Sequence, residues 1–225
     1  YESIRINEIG DYNLFDILID TTSIPKGTFR ENNLTGSVTI PDSVTSIGDE
    51  AFEHNQLKEV IIGNSVTSIG NDAFYNNQLK EVTIPYSVTH IGEKAFGQNK
   101  LKKVIIPDSV TEIDSQAFAN NILTKVIIGN SVTKIGDEAF KTNQLKEVII
   151  GNSVTIIGIG AFQKNKLTKV TIPDSVTEIY SDAFQSNQLQ EVIIGNSVTS
   201  IYPRAFKDNR LKKVIIPDSV TGIGE

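Results

Sequence analysis

The chain has 225 residues, 39% hydrophobic and 21% charged, a composition that folds rather than one that stays disordered. Its formal net charge of −6 disfavours general nucleic-acid binding, which calls for a basic surface. Cysteine is absent, so no disulfide framework or cysteine metal site can form. No window nears the ~18 uninterrupted apolar residues of a membrane-spanning helix, so no membrane insertion is expected.

In chain order, the sequence starts at Tyr1 and contains no methionine, which reads as a removed signal peptide or an excised fragment. The stretch "LFDILIDTTSIPKGTF" then leads to Phe29, where a repeat sets in. Phe52, Phe74, Phe96, Phe118, Phe140, Phe162, Phe184 and Phe206 are each 22 residues apart, and the leucines Leu57 to Leu211 and asparagines Asn55 to Asn209 keep the same step. Phe29, Asn33 and Leu34 extend these columns, Phe29 and Leu34 with a 23-residue step, which places one extra residue near Gly36. The working unit is L-x-x-V-x-I-[PG]-[DN]-S-V-T-x-I-G-x-x-A-F-x-x-N-x.

Each unit has a physical reading. Val60 and Ile62 fall on the same side of a strand, because side chains alternate. A Pro or Gly ends that strand. Val66 and Ile69 turn inward from a second extended segment. Ala73-Phe74 then delivers a large ring to the interior from a helical or 3₁₀ turn. One unit cannot bury these residues alone, but stacked neighbours can, through parallel strands about 4.8 Å apart and a continuous spine of phenylalanines.

The motif "IPDSVTSIGDEAF" at 40–52 and its copies resemble the BspA-like (Treponema-type) leucine-rich repeat family of bacterial surface proteins. The likeness covers roughly residues 24–225. Cysteine often stands there where this chain has the Asn55 column, and 23 residues is that family's commonest unit. The resemblance implies a leucine-rich repeat solenoid of the α/β horseshoe class, right-handed, mostly β with short 3₁₀ turns. Its L-x-x-V-x-I strands would form a parallel sheet lining the concave face. Residues 1–33 then read as an N-terminal cap plus a degenerate first repeat, and 34–225 as one continuous solenoid. The sequence ends at "SVTGIGE", before the Ala-Phe of that unit, so the native protein is expected to continue.

Three columns invite chemistry but have plainer readings. The Ser43 to Ser219 column reads as a hydroxyl ladder bonding backbone where strands end. The asparagine column reads as a buried amide ladder. The turn pair is Pro-Asp or Gly-Asn in every unit except at Pro85-Tyr86. Pro fixes φ near −65° whereas Gly and Asn tolerate positive φ, so the pairs are expected to encode different turns, although duplication of a multi-repeat block explains the same covariation. The Thr45 to Thr221 row stands outward, as in ice-binding solenoids, though strand propensity explains it as well.

The candidate binding face is the outward row Ile61, Thr83, Ile105, Ile127, Ile149, Thr171 and Ile193, an apolar strip on the L-x-x-V-x-I strands. Lysines flank it, and Lys102, Lys103 and Lys125 form a stretch of adjacent units free of glutamate, suited to an acidic partner. His54 and His90 read as surface substitutions, and neither phosphate-loop nor dinucleotide motifs occur. Near-total repetition leaves no unique asymmetric constellation for catalysis, so neither enzyme activity nor a cofactor is expected. The expected role is an extracellular or cell-surface interaction or adhesion module for a protein or glycoprotein, host matrix included. The alternative is a structural spacer.

Overall fold

A computed structural model describes residues 21–224. It is a parallel β-solenoid in which every coil repeats the same three segments, and no helix occurs among the described residues. The first segment, L-x-x-V-x-I, forms strands such as Gln56–Ile61, Lys103–Ile106 and Lys125–Ile128. The second, T-x-I, forms two-residue strands from Ser23–Ile24 to Gly222–Ile223, which pair in register into one ten-stranded sheet. The third is the Ala-Phe turn. Of the expected cap over 1–33, residues 1–20 lie outside the described residues. Residues 21–33 contribute Ile24 and Phe29 to the core.

The core follows from the repeat. Val66, Ile69, Ala73, Phe74 and Leu79, and their counterparts in the neighbouring coils, are fully buried. The phenylalanine rings stack coil on coil from Phe29 to Phe206, with centroids 5.1–5.5 Å apart and planes within 22°. Near-parallel rings at that separation are offset, the arrangement favoured by the ring quadrupole.

The Ala-Phe segment is not the helical or 3₁₀ turn expected from sequence. It is a pair of tight turns, in which Ala51 N–H donates to Gly48 O (3.3 Å) and Glu53 N–H to Glu50 O (3.1 Å). Left-handed residues bracket it, Glu50 at φ 57° and His54 at φ 54°, and the same two positions recur along the chain. A left-handed residue before the alanine and another after the phenylalanine stop any helix from propagating. In exchange the turn pairs across coils. Each phenylalanine N–H from Phe29 to Phe184 donates to the alanine carbonyl one coil on, at 2.8 Å.

The asparagines hold this turn to the next strand. Asn121 Oδ1 accepts from Leu101 N–H (3.0 Å), and its Nδ2 faces the carbonyls of Phe96 (2.9 Å), Phe118 (3.2 Å) and Ala119 (3.3 Å). The same four contacts recur at Asn77, Asn99, Asn143, Asn165 and Asn187. In the first unit the residue in register is Asn32, three after Phe29, and its amide bonds Arg30 O (2.9 Å). Asn33, assigned to the column from sequence, is instead exposed at φ 56°. The extra residue near Gly36 appears as a register shift between Gly36 and Ser37, with Gly36 at φ 77°.

The other columns divide. Serine is not a continuous ladder: Ser87 and Ser175 donate to Val66 O (2.6 Å) and Val154 O (2.7 Å), whereas the buried hydroxyls of Ser109 and Ser219 have no partner. The threonine row is continuous. Each hydroxyl from Thr45 to Thr221 donates to a backbone carbonyl one coil back at 3.0–3.4 Å, so the row serves backbone pairing. The Gly-Asn turns do not use positive φ. Their glycines are there for close approach: a Cβ on Gly63 would lie 2.6 Å from Pro41 O, and one on Gly129 2.5 Å from Pro107 O. That approach lets Asp42 and Asp108 accept from the N–H of Asn64 and Asn130 at 2.6 Å. The pairing of Pro-Asp with a following Gly-Asn therefore has a physical basis.

Two substitutions test this frame. Asn121→Leu orphans the buried Leu101 N–H and removes three donor contacts, which is expected to cost at least ~2 kcal/mol, read as a lower urea midpoint. Gly129→Ala forces its methyl group against the Pro107 carbonyl and is expected to cost ~1–3 kcal/mol by the same measurement.

Candidate binding face

The L-x-x-V-x-I strands present one side chain outward between two buried ones. In Lys103–Ile106, Val104 and Ile106 are buried while Ile105 stands out. Ile61, Ile105, Ile149 and Ile193 are 45–52% exposed. Ile127 is half-buried, because Ile105 and Ile149 flank it on paired strands. Ile105, Ile127 and Ile149 thus form a contiguous apolar strip across one three-stranded sheet. Thr83 and Thr171 are also exposed. The sequence-predicted row is therefore outward in the structure but is not one uninterrupted surface.

The interruption has a pattern. On this side the sheet breaks into pieces of two, three and two strands, and the coil carrying Thr83 contributes only an isolated Val60–Val82 bridge. Beyond Lys102 N–H to Lys80 O (3.2 Å), no backbone hydrogen bond joins residues 82–86 to 104–108. A cleft of about 300 Å³ opens there, lined by Glu81, Thr83, Tyr86, Lys103, Ile105 and Pro107 among others. A second cleft, of about 540 Å³, opens between the coils carrying Ile149 and Thr171. Each cleft thus has one of the row's two threonines on its wall. Sequence reasoning missed the clefts and did not place Tyr86 on the face. The available signal was that Pro85-Tyr86 alone breaks the turn-pair rule.

Charge on the face is also rearranged relative to the sequence reading. Lys125 is not part of a glutamate-free stretch in space, because Glu147 of the next coil reaches its Nζ at 2.9 Å. Lys169 and Glu191 form the same pair at 2.8 Å. Lys102 and Lys103 are exposed and carry no ion pair. Exposed pairs of this kind contribute under ~1 kcal/mol, so their effect here is to neutralise Lys125 and Lys169 rather than to brace the face.

The shifted carboxyl groups lie elsewhere. Burial pushes the Glu53 and Asp72 carboxyls up, and both sit on Ala-Phe turns. His54 is exposed and bridges Asn76 Nδ2 (2.7 Å) and Glu53 (3.2 Å), and His90 stands 3.4 Å from Asp114. Among the described residues no helix is long and apolar enough to cross a membrane, and no cluster of His, Asp and Glu is arranged to hold a metal ion.

A parallel solenoid with stacked phenylalanines, an asparagine ladder and an outward-facing β-branched row on its L-x-x-V-x-I strands defines a leucine-rich repeat protein. The chain belongs to the BspA-type leucine-rich repeat family, whose model matches residues 9–122 and 111–225. Among solved structures it is similar to a leucine-rich cell surface protein from Faecalibacterium prausnitzii, with 26% identity and TM-score 0.53 over 90% of this chain and 63% of that one. It is also similar in fold to YopM, a leucine-rich effector protein from Yersinia pestis, with 19% identity and TM-score 0.57 over 98% of this chain and 65% of that one. The chain thus spans less than two thirds of either protein's length. No match was found among curated proteins.

Because the strip is outward, replacing Ile105, Ile127 and Ile149 together by alanine is expected to leave the solenoid folded. Circular dichroism should be unchanged, and stability should fall by no more than the ~1 kcal/mol per site that strand propensity spans.

Proposed function

We propose that this chain is a non-enzymatic protein-interaction or adhesion module of a bacterial cell-surface or secreted protein. It binds a protein or glycoprotein macromolecule, host matrix included, through the L-x-x-V-x-I face, read as the concave one. The observation that carries this reading is the Ile105–Ile127–Ile149 strip, solvent-facing on strands whose other apolar residues are buried. A contiguous apolar strip kept in water and rimmed by lysines is typical of a surface that closes on a partner. The F. prausnitzii relative, a cell surface protein, supports the location. Near-total repetition of every column argues against a catalytic constellation.

One observation favours the spacer reading. The coils are nearly identical, and Lys125 and Lys169 are neutralised by Glu147 and Glu191, as in a face kept only soluble. A pull-down against purified matrix and mucin components, with wild type beside the Ile105/Ile127/Ile149 alanine triple, separates the two. Binding that weakens at least tenfold in the triple, about 1.4 kcal/mol, supports the interaction reading. Unchanged affinity moves the site off this strip, and no bound component at all favours the spacer.

A further inference from the structure

The two clefts differ in ways that single out one of them. The lining of the second includes Lys169 and Glu147, each already paired with a neighbouring coil, beside an unpaired Lys146, and its turn residues are Asn152 and Pro173. No residue lining the first is ion-paired. Lys103 on its wall and the adjacent Lys102 carry no ion pair, with Glu81 the acid of its lining. Its mouth holds Tyr86, 82% exposed, where most other coils place an Asp or Asn. Ile105 and Pro107 complete an apolar wall continuous with the Ile127 strip. The facing backbone edges, 82–86 and 104–108, are not bonded to one another.

We propose that this first cleft is the anchor point of the binding face, and that it takes one large apolar side chain of a partner protein segment with a carboxylate close by. The proposal rests on the interaction reading above and narrows it to a place and a partner chemistry. A volume of about 300 Å³ is small for a drug-sized ligand and suited to a single side chain. Interface energy concentrates where such a side chain seats beside an aromatic residue, and tyrosine is enriched there. Tyr86 and Ile105 supply the apolar contact. Lys102 and Lys103 draw the carboxylate, and the open backbone edges offer hydrogen bonds to the segment's own peptide groups. On a protein of net charge −6, two unpaired adjacent lysines steer an acidic segment to this spot.

Two substitutions remove these features while inserting residues that equivalent coils already carry. Tyr86→Asp restores the Pro-Asp turn, and Lys103→Glu matches Glu59, Glu81, Glu147 and Glu191. Both variants should therefore fold with an unchanged thermal midpoint. The probe is a phage-displayed library of linear dodecapeptides panned on the full 225-residue chain, with enriched peptides then synthesised and measured. Enrichment of Asp or Glu within two positions of an aromatic residue or leucine is expected. Affinity should drop at least tenfold in Tyr86→Asp and in Lys103→Glu, fall with added salt, and change less than twofold in Asn152→Ala at the second cleft. Charge-indifferent peptides, peptides untouched by Tyr86→Asp, or no enrichment would each overturn the cleft proposal. Peptides lost in the isoleucine triple but retained in Tyr86→Asp would sink the cleft and keep the binding face. Peptides indifferent to every one of these variants would count against both.

Discussion

The amide of a buried asparagine, repeated once per coil, is the constraint on which the rest of this structure depends. Each one faces four backbone groups at the point where the Ala-Phe turn passes into the next strand. Those groups cannot pair within their own coil, because left-handed residues on either side of the turn prevent a helix. Buried and unpaired, each would cost ~1–3 kcal/mol. With the asparagine in place the turn can be tight, the phenylalanine can point straight inward, and successive rings can stack at 5.1–5.5 Å. The ladder and the ring stack both advance one residue per coil, so each reinforces the other.

This inward economy explains what remains for function. Asparagine, threonine and the turn aspartates direct their polar groups at backbone, and the valines, leucines and phenylalanines fill the core. The outward positions of the L-x-x-V-x-I strands serve neither purpose. They can vary at little cost to the frame, and the variation that exists, Thr83 and Thr171 among isoleucines and Tyr86 at a turn, falls where the sheet opens. Chemistry on this chain is therefore a matter of which side chains stand on an otherwise uniform surface.

Much of this was legible in the sequence. The 22-residue step of Phe, Leu and Asn gave the coil, the core and the outward row, because periodicity reports directly on which side chains share an environment. The turn was not legible. Its left-handed positions are filled by a mixture of polar residues, from Glu50 and His54 to Arg204 and Asp208, with glycine only at Gly27 and Gly160, so composition did not mark them. The Asn33 assignment failed by one residue because Asn32 and Asn33 are adjacent and the first unit is one residue longer. The role of the Gly-Asn glycines was hidden too, since a steric demand set by the neighbouring coil leaves no local signature. Lys125 looked free because its partner, Glu147, is 22 residues away in sequence and adjacent only in space. The clefts arise from missing pairing between strands and so had no counterpart in the unit's own pattern.

The central claim is that the frame is complete without the L-x-x-V-x-I face and that this face meets the partner. The most direct measurement is photo-crosslinking from a benzophenone side chain placed at position 127 or, as the control, at position 111 in the outward threonine row. Each variant would be irradiated with purified matrix and mucin components. Adducts from position 127 with none from position 111 are the expected result. Equal labelling from both, or labelling from position 111 alone, would contradict it.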